Sequence, residues 1–179
     1  MNKLMHKLCL AFLLSFLFAA TSQAQGTKQC FGDGVDNICP CGNDNDSSGV
    51  RGNEAGCANG SNSGGCNLTG FNTDSVSIDD LTLCFDGAPP NVAGLLFVGI
   101  NRISFPFGDG IRCCGGQVRR IELIIADATG AGCSTDPLAF ETGAVAGDSS
   151  CFQFWYRDPG SICGSGYNLS NGYKVVWTP

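Results

Sequence analysis

Cys151-Phe-Gln-Phe-Trp-Tyr-Arg157 decides how this chain folds. Phe152, Phe154 and Tyr156 alternate with Gln153, Trp155 and Arg157, the period-two pattern of a strand with one buried face. The same signal recurs on either side. Leu81, Leu83 and Phe85 alternate and run into the turn Gly87-Ala-Pro-Pro90. Val92 to Ile100 is an apolar run with two glycines, which suits a buried strand, and Val118 to Ala126 alternates until Ile124-Ile125. Tyr173, Val175 and Trp177 alternate with Lys174 and Val176. Turn residues separate these runs, no amphipathic helical segment interrupts them, and 26 glycines disfavour helices. The expectation is an all-β fold, a β-sandwich of jelly-roll or Ig-like type, over residues 67–179. Gly-Asp-Gly occurs twice, in Phe31-Gly-Asp-Gly34 and Phe107-Gly-Asp-Gly110, and reads as a turn.

Upstream, residues 25–66 carry five cysteines among Gly, Asn and Asp, with no periodicity. They read as an irregular, disulfide-rich cap belonging to one structural domain of residues 25–179. Residues 1–24 differ again. Lys3 and Lys7 precede a run from Leu8 to Ala20 broken only by Ser15, and Ser22 and Ala24 occupy signal-peptidase positions. That order predicts a secretory signal peptide cleaved before Gln25, with no membrane insertion afterwards. The expected location is secreted and extracellular, periplasmic or cell-surface.

Cleavage there removes the only His, both Met residues and Cys9. It leaves Lys28, Lys174 and six Arg against sixteen acids, so 8 − 16 = −8. A chain this acidic predicts no nucleic-acid partner, because phosphate binding needs clustered bases. Arg119-Arg120 is the one adjacent basic pair, and in a strand its side chains face opposite ways. Without His, catalytic triads and Cys-His dyads lose their usual base.

Eleven cysteines remain: Cys30, Cys39, Cys41, Cys57, Cys66, Cys84, Cys113, Cys114, Cys133, Cys151 and Cys163. In an exported chain they predict a disulfide framework of five bridges, the odd thiol being free or available for an intermolecular bond. Economical pairings are Cys66 with Cys84, Cys133 with Cys151, and Cys163 with Cys113 or Cys114. A zinc site from Cys39, Cys41, Cys57 and Cys66 is the competing use.

Asn43-Asp-Asn-Asp-Ser-Ser-Gly49 places Asp44, Asp46 and Ser48 in alternation, as in the first half of an EF-hand loop. The twelfth position is Ala55, with the acid one residue early at Glu54, and no helices flank it, so the expectation is at most a looser structural calcium site. Carboxylate pairs such as Asp79/Asp80 or Glu122/Glu141 could serve glycoside cleavage, but an acidic surface produces such pairs freely. Asn67-Leu-Thr69 and Asn168-Leu-Ser170 match the glycosylation acceptor. Trp155, Tyr156, Tyr167, Tyr173 and Trp177 cluster late in the chain; Trp155, Tyr156 and Trp177 are candidates for stacking on a sugar, against the alternative that they fill the core.

Cys39-Pro-Cys-Gly-Asn43, Gly56-Cys-Ala-Asn59, Pro106-Phe-Gly-Asp-Gly-Ile-Arg-Cys113, Trp155-Tyr-Arg-Asp-Pro159, Cys163-Gly-Ser-Gly-Tyr-Asn-Leu-Ser-Asn171 and Val176-Trp-Thr-Pro179 occur in this order. The set resembles a family of uncharacterised secreted proteins and C-terminal modules common in planctomycete-type bacteria, and it spans nearly all of residues 25–179. The resemblance implies an exported bacterial β-rich module and brings no catalytic residues. Cys66, Cys84, Cys114, Cys133 and Cys151 exceed the family pattern. The functional expectation is a non-catalytic structural or adhesive module that binds an extracellular glycan or surface protein; the alternative is a small glycosidase-like hydrolase using paired carboxylates.

Overall fold

A computed structural model describes residues 26–35, 38–46 and 53–179. The described residues are mostly β with almost no helix, in several antiparallel sheets. The strands are β1 (Thr27–Gln29), β2 (Asn67–Phe71), β3 (Thr82–Asp86), β4 (Ala93–Gly99), β5 (Asn101–Phe107), β6 (Gly110–Gly115), β7 (Arg119–Ile125), β8 (Gly132–Cys133), β9 (Ser149–Arg157), β10 (Tyr167–Leu169) and β11 (Gly172–Val176), with one short helix, α1 (Leu138–Thr142). The main sheet runs β1-β11-β9-β4-β7, with β10 also paired to β9. A second sheet runs β2-β3-β8, and β5-β6 form a separate hairpin.

The inner face of the main sheet packs on the second sheet. Leu96, Phe152, Phe154, Tyr156, Tyr173, Val175 and Trp177 meet Leu68, Leu83 and Phe85, and α1 closes the end with Leu138 and Ala139. Phe85 stacks on Phe154 with ring centroids 3.8 Å apart, and Gly94 makes room for that ring, since a Cβ there would collide with Phe154. The opposite face of the same sheet is covered in part by the hairpin and the cap, where Phe97, Ile111, Leu169 and six disulfide-bonded cysteines make a smaller apolar cluster. Half a dozen buried Leu and Phe side chains, each contributing about 1.5–3 kcal/mol of burial, explain why the alternating stretches found these positions.

Five bridges cross-link the fold: Cys30–Cys113, Cys39–Cys57, Cys41–Cys163, Cys84–Cys133 and Cys114–Cys151. The number agrees with the sequence, but the partners do not. Cys84 joins Cys133 because the two are opposite each other across β3 and β8, and Cys151 joins Cys114 because the hairpin lies over β9. Cys163 reaches the cap rather than the hairpin. Among the described residues Cys66 is the free thiol, and it is fully buried, so it presents nothing to a second molecule. Pairing Cys39 with Cys57 and Cys41 with Cys163 also dismantles the four-thiolate zinc arrangement.

The cap is irregular where described, except that residues 27–29 add an edge strand to the main sheet through β11. Its loops are held by buried amides rather than by ladders. Asn43 Nδ2 donates to the carbonyls of Ala58 and Asp109, both at 2.8 Å, and Asn168 Nδ2 donates to Ala58 at 2.9 Å. Asn59 Nδ2 donates to the Gly87 carbonyl and to the Tyr156 hydroxyl. An Asn side chain can satisfy two backbone groups at once, which is what packed non-repetitive backbone requires. Residues 1–24 lie outside the described residues, and so does the predicted signal peptide. Among the described residues no helix is long and apolar enough to cross a membrane. A framework of five disulfides is the chemistry of an oxidising, extracellular-type compartment.

Candidate functional site

The outer face of the main sheet is open beyond the hairpin, and its register defines what lies there. Leu95 is opposite Trp155 on β9 and opposite Leu123 on β7, while Trp155 is also opposite Leu169 on β10. Two residues along, Tyr167 is opposite Arg157. These side chains share one face because directly paired residues of antiparallel strands point the same way. A β-bulge adds to the set. Leu96 pairs with Glu122 but Phe97 pairs with Arg120, so Ile121 is the extra residue and Arg120 is turned to the outer face. The expectation that Arg119 and Arg120 point apart meets this bulge, which decides which of the two faces the groove.

Trp155 is the centre. Its ring meets Phe107 of the hairpin edge-on at 5.8 Å and Tyr167 edge-on at 5.6 Å, and Phe107 and Tyr167 lie 5.3 Å apart. All three rings are half-buried. The Trp155 Nε1–H is screened from solvent and has no hydrogen-bond partner. Two adjoining clefts, of about 180 and 390 Å³, share Leu95 and Trp155. Phe97, Phe107, Arg112 and Arg120 line the first; Leu123, Arg157 and Tyr167 line the second. Among the described residues no Asp or Glu lines either cleft.

The ring cluster is held from beneath by Asp109, at the turn of the hairpin. Its carboxylate accepts from the Ser161 hydroxyl (2.8 Å), the Cys163 N–H (2.7 Å), and the Ser165 N–H and hydroxyl. Its own N–H donates to the Tyr167 carbonyl at 3.2 Å. Burial raises the Asp109 pKa, and the four donors outweigh that and hold it below the ordinary carboxylate value. Asp158, also fully buried, goes the other way: burial pushes its pKa up, against the lowering effect of the Gly60 N–H.

The three aromatic candidates separate. Trp155 belongs to the groove. Tyr156 and Trp177 are both 1% exposed and belong to the core, where the Trp177 Nε1–H donates to Ser150 Oγ at 2.8 Å. Buried to this degree, neither of the two can stack on a ligand. The calcium candidates are not gathered either. Asp44 Oδ1 accepts from the Cys39 N–H at 2.8 Å, Glu54 lines a polar cleft with Lys28 and Asp86, and Ser48 lies outside the described residues. Asp46 is on the described part of the cap, and among the described residues no three acids, Cys or His converge as a metal cluster. Asp79 accepts from the first N–H groups of α1 (Ala139 and Phe140), Asp80 from Thr73, and Glu122 from Thr135. The sequon residue Asn168 is fully buried. Arg112, Arg120, Arg157, Phe107 and Leu123 are members of the groove that the sequence did not mark. Only the strand parity of Arg157 and Trp155 could have paired those two.

Comparison with known proteins finds no matching family model, no matching curated protein and no matching solved structure.

Proposed function

We propose that residues 25–179 form an exported, non-catalytic binding module that takes a carbohydrate chain along the groove centred on Trp155. The supporting observation is the cluster of Phe107, Trp155 and Tyr167 at the edge of an open cleft on a disulfide-pinned sheet. Aromatic rings offer sugars an apolar face, and a rigid support limits the entropy lost on binding. The core between the main and second sheets suits a β-sandwich, with the hairpin as an additional layer, and the resemblance to secreted bacterial modules fits such a scaffold. Affinity electrophoresis of residues 25–179 through gels containing different polysaccharides tests the reading. Retardation by at least one polymer, lost in Trp155→Ala, is the expected outcome; Trp155→Phe keeps packing at the site and controls for folding.

A second reading has one specific observation behind it. Glu54 and Asp86 both line a polar cleft of about 310 Å³, which brings two acids to a common cavity. A small hydrolase using paired carboxylates would work there. Polysaccharide cleavage abolished by Glu54→Gln would establish it.

A further inference from the structure

We infer that the ligand of the Trp155 groove is an acidic polysaccharide bearing carboxylates, a polyuronate. The inference rests on the carbohydrate reading and adds the charge of the ligand. Residues 25–179 hold sixteen acids against eight bases, yet Arg112, Arg120 and Arg157 border the two clefts and, among the described residues, no acid does. Among the described residues, the guanidinium groups of Arg120 and Arg157 take part in no hydrogen bond or ion pair, and both residues are exposed. Arg120 faces the groove only because the bulge at Ile121 re-aims it. Bulges commonly serve this purpose beside binding sites.

A planar guanidinium pairs with a carboxylate through two parallel N–H donors. Arg120 is opposite Phe97 on the β7 side of Trp155, and Arg157 is next to Trp155 on β9 and opposite Tyr167, so cations flank the rings in both directions along the groove. A chain alternating a sugar face with an equatorial carboxylate meets rings and guanidiniums in turn. The surrounding negative charge repels polyanions in general, so binding of one must come from this local patch.

The test measures dissociation constants of residues 25–179, disulfides intact, for three probes at low and moderate salt. These are polygalacturonate, the same polymer reduced at its carboxyl groups, and dextran sulfate. The expected result is that polygalacturonate binds about tenfold more tightly than its reduced form, and more weakly as salt rises. Arg120→Gln and Arg157→Gln should each weaken it by about three- to tenfold without affecting the reduced polymer. Trp155→Ala should remove binding of both. Equal affinity for the two galactans, or indifference to the Arg substitutions, overturns the inference while leaving the carbohydrate reading intact. Binding to dextran sulfate that exceeds polygalacturonate binding overturns the carboxylate assignment. No binding to any probe, with Trp155→Ala indistinguishable from the parent, overturns both.

Discussion

Asp109 has two roles, and only one is written in its motif. Gly108-Asp109 forms the tight turn that Phe107-Gly-Asp-Gly110 announces, with Phe107 paired to Gly110 and Gly108 at φ 61°. The second role, accepting four hydrogen bonds from Ser161, Cys163 and Ser165, depends on residues more than fifty positions away, which no local pattern reports. Asp109→Asn should lower stability at neutral pH by about 2–3 kcal/mol, because buried donors lose a charged acceptor. The pH dependence follows from the lowered pKa. The native state binds fewer protons than the unfolded chain, so the carboxylate's contribution is complete above the unfolded value near ~3.9 and disappears as pH falls through the folded value. Urea titrations of parent and variant should therefore converge between about pH 5 and pH 2. A gap that stays constant over that range would contradict the assignment. Asp158, with its raised pKa, has the opposite sign and favours the native state less as pH rises through its folded value. Trp155 illustrates what one residue's parity holds. Alternation in the opening heptad already places Trp155 and Tyr156 on opposite faces, so the two could never have formed one platform.

The elements differ in how plainly the sequence writes them. β7 and β9 follow the apolar alternation and β4 the apolar run; each buries one face against the second sheet, and β4 and β9 are covered in part on the other face as well. The β5-β6 hairpin has no such signature. β5 is exposed along most of its length and contains Pro106, which suits only an edge strand. It is attached instead through β6, by Cys30–Cys113, Cys114–Cys151 and the fully buried Gln153. Gln153 Oε1 accepts from the Cys113 N–H at 2.9 Å, and Nε2 donates to the carbonyls of Ile111 and Ser170 at 2.8 and 2.7 Å. Gln153→Leu keeps the volume and removes all three bonds, so chemical denaturation should show a loss of about 3 kcal/mol. A loss below 1 kcal/mol would mean that the bridges alone hold the hairpin. Gly94→Ala tests the inner face in the same way. Its Cβ must displace the Phe154 ring, and overpacking of this kind costs about 1–3 kcal/mol. α1, only five residues long, was invisible to periodicity; its first N–H groups find Asp79, sixty residues earlier in the chain.

At the scale of the molecule, five bridges close sequence separations of 83, 18, 122, 49 and 37 residues; three join the cap, the hairpin and the main-sheet side to one another, one lies within the cap, and Cys84–Cys133 lies within the second sheet. The number of bridges was legible from the odd count of cysteines in residues 25–179. The partners were not, because pairing follows register and layer contact rather than distance along the sequence. Reduction should add ten hydrogens by intact mass, two for each of the five bridges. Cys66 should alkylate only after unfolding, since burial both hides the thiol and pushes its pKa well up. Rapid labelling of the native protein would contradict that placement. Opening the longest loop with Cys41→Ser and Cys163→Ser should lower the thermal midpoint by about 5–10 °C and loosen the Ser161–Ser165 segment under the groove. The function proposed for this scaffold rests on one surface, and the protein carries its own probe of it. There are two tryptophans: Trp155 in the groove, and Trp177 in the core with its indole N–H bonded to Ser150. Indole N–H resonances followed by NMR during titration with polygalacturonate separate the two. The account predicts that the Trp155 signal shifts to saturation while the Trp177 signal stays in place; a Trp155 signal unmoved by this and by neutral polysaccharides would contradict it.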